Sequence, residues 1–286
     1  MKTSDNVILL KKGSSFEKNA FFIHDGAGDV YIYTFLCSFM DDSYNCWGLI
    51  SNICGIGPVN TTVEDIARPM MDGIRLICNG NPAVIVGWSI GGLIAVEVCR
   101  QLENIGVEVR QLVVLDTFKS GRISAKLIYD FDFERESIVS WFNTSSIKEL
   151  LSGANDFEEM YNILIESRSE SFLELAKKKF HPNVLHAIPE YYMSDIKNFI
   201  MCANKSRTFW ASSENYILPA VPLENPLLFI KAQKSQYNIK DNQLLSCFLN
   251  SLYEEVPFDH YSMMHMVNVS DVSKLINEQL QINCGF

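Results

Sequence analysis

Residues 84–92 read Val-Ile-Val-Gly-Trp-Ser-Ile-Gly-Gly, and this stretch constrains the chain more than any other. A short apolar run ends in Gly87-Trp88-Ser89-Ile90-Gly91, the G-x-S-x-G pattern of a nucleophile elbow. The pattern occurs often by chance, and its meaning rests on context. Here Ala83–Val86 is apolar on both faces, as a buried parallel strand must be, and a small-residue helix start follows at Ile90. Gly87 and Gly91 flank a turn that has no room for a Cβ. Ser89 is therefore expected at the tip of the turn, with its hydroxyl exposed above a helix N-terminus that favours developing negative charge. The plain alternative is a serine in an ordinary strand-to-helix turn.

The surrounding chain supports the elbow. Ala20–His24 is a short apolar run ending in the turn-rich Asp25-Gly26-Ala27-Gly28-Asp29, and Val30–Met40 looks helical. Cys46–Leu49 is a candidate strand, followed by a Gly/Pro/Asn loop at 55–60. Thr61-Thr62-Val63-Glu64 resembles a capping box opening a helix to about Cys78, with Pro69 expected to kink it. A helix over about 90–105 and the strand Gln111–Leu115 come next. Strands alternating with helices predict a mostly parallel sheet with helices on both faces, and the elbow motif within it makes the expected fold similar to that of the α/β-hydrolases. From Thr117 to about Asn215 no buried strand is evident. Asp156–Ser167 has the spacing of a one-faced helix, and Pro189 is suited to open another, with Tyr192, Ile196, Phe199, Ile200 and Ala203 on one side. Leu227–Lys231 resumes the sheet, Glu254–Pro257 reads as a last strand and Val272–Leu280 as a closing helix. The expected organisation is one domain over 1–286, with core 1–116 and 216–286 and a helical lid insertion over 117–215.

Composition narrows the function. The formal charge is −10 and there is no basic run, which disfavours nucleic-acid binding. Val7–Leu10 is too short for a signal-peptide core and no apolar run approaches a membrane span. The 8 cysteines show no C-x-x-C and no Cys/His pairing, so reduced, mostly buried thiols of a cytoplasmic protein are expected, with no metal site.

A serine nucleophile needs a base, and the base needs a carboxylate to fix its tautomer. On this fold the chain order is Ser, Asp or Glu, then His. Of the 5 histidines, His24 precedes the serine, while His181 and His186 fall in the helical insertion. His260, directly after the last apolar strand, is preferred to His265, five residues further on. For the acid, Leu112-Val113-Val114-Leu115-Asp116 places a carboxylate at a strand exit; Asp116 as a helix cap or loop acid is the alternative. The next strand, ending at Lys231, is followed by Ala-Gln-Lys-Ser-Gln with no acid until Asp241. Two backbone N–H groups are also needed to hold an oxyanion. Ile90 is expected to supply one, and Ala27, in the loop after the early strand, the other.

Together these residues resemble the thioesterase domains that end nonribosomal peptide and polyketide synthases. Phe-Phe-Ile-His-Asp-Gly-Ala-Gly at 21–28 is similar to the family's opening strand and His-Pro-x-Gly-Gly-type loop, although Asp25 stands where proline is usual. Gly-Trp-Ser-Ile-Gly-Gly at 87–92 is close to its nucleophile motif. Gln-Leu-Glu at 101–103, Leu-Val-Val-Leu-Asp-Thr at 112–117 and Val-Pro-Phe-Asp-His-Tyr-Ser-Met-Met at 256–264 resemble its next helix, acid-bearing strand and histidine loop. The resemblance implies an acyl chain arriving as a thioester on the 4′-phosphopantetheine arm of a carrier domain, with no other cofactor. It further implies an acyl-enzyme on Ser89 and release by hydrolysis or cyclisation. An acid after the earlier strand is typical of chain-terminating domains; editing thioesterases more often carry it after the later one. The lid aromatics Phe157, Tyr161, Phe172, Tyr191, Tyr192, Phe199 and Trp210 either line an acyl pocket or pack the lid itself. A free-standing esterase or lipase and a non-catalytic module on the same scaffold are the competing readings.

Overall fold

Seven strands form one sheet in the order β1-β3-β2-β4-β5-β6-β7. A computed structural model describes residues 6–53, 59–117, 130–142, 145–167, 173–174, 178, 194–235 and 243–283. The strands are β1 (Val7–Lys11), β2 (Asn19–Ile23), β3 (Asn45–Leu49), β4 (Ala83–Trp88), β5 (Val109–Leu115), β6 (Leu227–Ala232) and β7 (Ser251–Val256). Among the described residues β1 alone runs antiparallel, against β3, and the other pairings are parallel. Strands β2, β4 and β6 are buried at every position, which is why their sequences are mainly apolar without alternation, with Asn19 and Lys231 the buried polar exceptions. β1 is an unforeseen element. Its Val-Ile-Leu-Leu-Lys sequence is an edge strand whose Ile8 and Leu9 stay exposed.

Register brings the strand ends to a common edge. Ile23 pairs with Gly87, Trp88 with Leu115, Leu115 with Ile230 and Ala232 with Val256. The segments that follow β2, β4, β5, β6 and β7 therefore leave the sheet side by side, where parallel α/β sheets place their ligands.

Around this sheet run α1 (Thr34–Phe39), α2 (Val63–Cys78), α3 (Ile90–Asn104) and, at the chain's end, a helix over Val269–Ile282. The expected helix at 30–40 is a short 3-10 turn at Tyr31–Tyr33 running into α1. α2 is capped one residue later than the sequence suggested. The Thr62 hydroxyl accepts the Asp65 amide at 3.1 Å, so the box is Thr62 with Asp65 rather than Thr61 with Glu64. The helix continues through Pro69 and ends on a left-handed Asn79. The closing helix begins three residues earlier than expected; its Asn277 side chain ties back to the end of α1, accepting the Asp41 amide and donating to Phe39 O.

The chain divides into two compact units. The first holds the sheet and comprises Met1–Asn52, Thr61–Lys119 and Tyr216–Phe286. The second, Ile53–Asn60 with Ser120–Asn215, is helical in its described parts: α4 (Phe131–Phe142), α5 (Ser145–Leu151), α6 (Phe157–Glu166) and α7 (Ile196–Asn215). The division departs from the expected boundaries in two places: the sheet unit runs on to Lys119, and Ile53–Asn60 groups with the helices, where the Val59 amide donates to Thr208 Oγ1 on α7. The helix at Val269–Ile282 is α8.

Candidate active site

β4 ends in a sharp turn whose geometry follows from its glycines. A Cβ on Gly87 would lie 2.3 Å from Gly91 O, and one on Gly91 would lie 2.4 Å from His24 O. Without those side chains the turn closes tightly enough to force Ser89 to φ 58°, ψ −130°, a region that non-glycine residues avoid. Such strain persists only where the surroundings impose it. Here the Ser89 amide donates to Leu115 O at 3.0 Å, and the Thr117 hydroxyl donates to Ser89 O at 2.7 Å. Tyr33, fully buried, bridges the two central strands: its hydroxyl donates to Ile23 O and accepts the Trp88 amide, both at 2.8 Å.

Three side chains meet at this edge. Ser89 Oγ lies 2.9 Å from His260 Nε2, and His260 Nδ1 lies 2.7 Å from Asp116 Oδ2. Asp116 closes β5 in a left-handed conformation, φ 41°, with its amide donating to Ile230 O. It is neither a helix cap nor an exposed loop acid. Burial opposes its ionisation, but the hydrogen bond and charge of His260, then those of Lys231, outweigh that and hold the carboxyl below the usual carboxylate range.

The histidine loop is built to present residue 260. Asp259 Oδ1 accepts the Tyr261 and Ser262 amides while the Asp259 amide donates to Ser262 Oγ. The His260 ring stacks on the Trp88 indole, centroids 4.8 Å apart at 25°, and the indole N–H donates to His260 O at 3.1 Å. Trp88, the second letter of the elbow motif, thus aligns the imidazole. His265 lies just beyond a 3-10 turn over Ser262–Met264, and the hydrogen bond to Ser89 comes from His260 instead. His24 is buried, with Nδ1 2.9 Å from Asp25 O. His181, His186 and Asp241 fall outside the described residues.

The amides expected to receive an oxyanion fare differently. Ile90 is the first residue of α3, and no described group bonds its N–H. Ala27 is differently placed. Its N–H already donates to Asp25 Oδ1 at 2.8 Å, so it is committed to the loop's own carboxyl. Asp25 stands where a proline was expected, and it orders the loop by capturing amides instead of by fixing φ. Among the described residues, the Gly26 N–H is the amide of this loop left without a hydrogen bond.

The helical unit has a core of its own. Tyr161, Met160, Leu164, Phe199 and Ile200 are buried together, with Phe157 packed against them. Tyr161 also donates to Glu134, and both meet Arg207. Phe157, Tyr161 and Phe199 therefore pack the unit's interior; Phe172, Pro189, Tyr191 and Tyr192 lie outside the described residues. The described cysteines 37, 46, 78, 99, 202 and 247 are buried thiols, whereas Cys54 and Cys284 are not described. No group of three or more His, Cys, Asp or Glu among the described residues is placed to hold a metal ion, and no described helix is long and apolar enough to cross a membrane.

Residues 21–139 match the model of the family described as "Thioesterase domain". Over these residues the chain is similar to thioesterase domains. Among curated relatives, a dimodular nonribosomal peptide synthase of Bacillus subtilis (strain 168) is 30% identical over 124 residues. That match covers 42% of this chain and 5% of the synthase. The orsellinic acid synthase ArmB of Armillaria ostoyae is 32% identical over 108 residues, 38% of this chain and 5% of that protein. The chain thus spans a small fraction of these relatives. Solved thioesterase domains share the fold almost end to end. The Vlm2 thioesterase domain bound with a dodecadepsipeptide superposes with a TM-score of 0.62 at 17% identity, covering 96% of this chain and 97% of that one. The NocB thioesterase domain, in covalent complex with a fluorophosphonate nocardicin G analogue, gives 0.60 at 17% identity over 92% and 94% of the two chains. The thioesterase-like sheet spans both ends of the sequence, while the family match covers its first half and the start of the helical unit.

Proposed function

We propose that this chain is a serine hydrolase that takes acyl, peptidyl or polyketide chains from the phosphopantetheine thiol of a carrier domain. The observation that carries the reading is the unbroken hydrogen-bond chain Ser89–His260–Asp116, with Ser89 strained at the elbow tip. His260 Nε2 takes the Ser89 proton as Oγ attacks the thioester carbonyl carbon. The oxyanion that forms is met by the Ile90 amide at the start of α3 and by an amide of the 25–28 loop, for which Gly26 is now the better candidate. Collapse of the tetrahedral adduct breaks the C–S bond, and His260 returns its proton to the departing pantetheine sulfur. The ester on Ser89 is then opened by water, giving a free acid, or by an amine or hydroxyl of the same chain, giving a ring; His260 again removes the attacking proton. Asp116 supports the imidazolium in both halves. The chemistry needs no cofactor beyond the arm that delivers the substrate.

The acid at the end of β5, rather than after β6, favours chain release over editing, and the relatives named above are synthases matched over 5% of their length. The test is intact-protein mass spectrometry after mixing with acylated carrier domains and with simple aryl esters. An acyl adduct that forms faster from the carrier thioesters, and is absent in Ser89→Ala, is expected. Faster acylation by aryl esters would favour a free-standing esterase, and no adduct from any ester would contradict the catalytic reading.

A further inference from the structure

Strand β6 ends in a cation where hydrolases of this fold commonly carry their acid. Lys231 is only 7% exposed, and its ammonium lies 2.5 Å from Asp116 Oδ1 and 3.0 Å from Ala232 O. The Ala232 amide donates to the same Oδ1 at 3.1 Å. The two carboxylate oxygens are thus divided. Oδ2 serves His260, and Oδ1 is held by a full positive charge and one backbone N–H. Burying an ammonium is expensive, and an apolar residue would complete a strand end more cheaply. The site therefore gains something from the charge.

We propose that Lys231 is a positioning residue of the catalytic set: it locks the Asp116 carboxylate toward His260 and offsets its charge, so that the imidazole stays available as a base at lower pH. This rests on the catalytic reading above. The ammonium and a protonated imidazole would sit on opposite oxygens of one carboxylate and repel each other. Among the described residues, β7 and the histidine loop bring Tyr253 toward Asp116, Glu255 toward Lys231, and the Tyr261 ring edge-on to His260 at 4.9 Å between centroids. Tyr253 and Glu255 on β7 hydrogen-bond one another, Glu255 also accepts from Gln233 Nε2, and Asp259 is bonded to its own loop's amides. None of them displaces Lys231 from Asp116.

The test is the pH dependence of Ser89 labelling by a fluorophosphonate, followed by intact mass. This readout needs the nucleophile and base but no carrier substrate. In Lys231→Met the acid limb of the labelling rate is expected to move up by about one pH unit, while Lys231→Arg, which keeps the charge, returns it to the wild-type position. Should Lys231→Met fail to fold, Lys231→Gln gives the same reading, keeping a donor without the charge. An unmoved limb in a folded neutral variant, or an equal shift in Lys231→Arg, overturns the proposal. A wild type that is not labelled at any pH overturns the catalytic reading itself. Labelling without turnover of carrier thioesters overturns only the substrate assignment.

Discussion

Asp25 is the residue whose chemistry departs most from its surroundings. Burial pushes its carboxyl up to about 7, the Ala27 amide pulls against that, and the nearby charge of Asp29 adds to the rise. A folded-state value above the ordinary one means that the folded protein holds this proton more tightly. The stabilisation is complete below the ordinary value of 3.8 and drains away as pH climbs to about 7. Asp25→Asn keeps an acceptor for Ala27 but cannot ionise. Its melting temperature is expected to match wild type near pH 4 and to exceed it by several degrees at pH 8, at about 2–4 °C per kcal/mol for a domain of this size. Calorimetry at the two pH values checks this; an equal difference at both would show that the carboxyl does not titrate in this window. Asp116 works in the opposite sense. Its depressed value stabilises the fold above the ordinary carboxylate range, and that contribution is lost as pH falls through the folded value.

At the scale of elements, the site depends on how β2, β4 and α3 are pinned together. Tyr33 joins the ends of β2 and β4 through one hydroxyl. Tyr33→Phe leaves the buried Trp88 amide without that acceptor, at a cost of about 1–3 kcal/mol. Chemical denaturation should show that loss with little change in the m-value, and the displaced elbow should also lower turnover. Gly91→Ala drives a methyl toward His24 O, a backbone atom that cannot swing aside. A stability loss on the order of 1–3 kcal/mol is expected, with the Ser89 nucleophile misplaced; wild-type stability and labelling in that variant would show that the turn is looser than its geometry implies. Much of this level is legible in the sequence because the signals are short in range. Ala83–Gly92 announces strand, turn and helix within ten letters, and Leu112–Asp116 announces a strand with a carboxylate at its exit. The misjudged details have physical causes. Thr61 and Thr62, followed by Glu64 and Asp65, offer two nearly equivalent caps, and the backbone chose the second. β1 is four apolar letters before two lysines, too short to stand out until β3 supplies its partner.

At the scale of the whole molecule, what stayed hidden is what depends on register between distant segments. Nothing local marks Lys231 as a partner of Asp116; the pairing of Leu115 with Ile230 brings them together. The capture of the Ala27 amide by Asp25 was open to inspection, since Asp two residues before an amide is a turn former, but choosing between Gly26 and Ala27 takes coordinates. The helical unit was legible as a block, whereas the role of its aromatics was not, because a buried apolar face reads alike whether it packs against protein or substrate. The catalytic reading requires that residues 89, 116 and 260, far apart in the chain, act as one device. Asp116→Asn should cost several orders of magnitude in rate, since the imidazole would lose the partner that sets its tautomer. The most direct measurement is kcat/KM for an acyl thioester in Ser89→Ala, His260→Ala and the double variant. Each single change should remove nearly all of the turnover, with the double variant little worse than either. Independent, multiplying losses, or a His260→Ala enzyme close to wild type, would contradict the account.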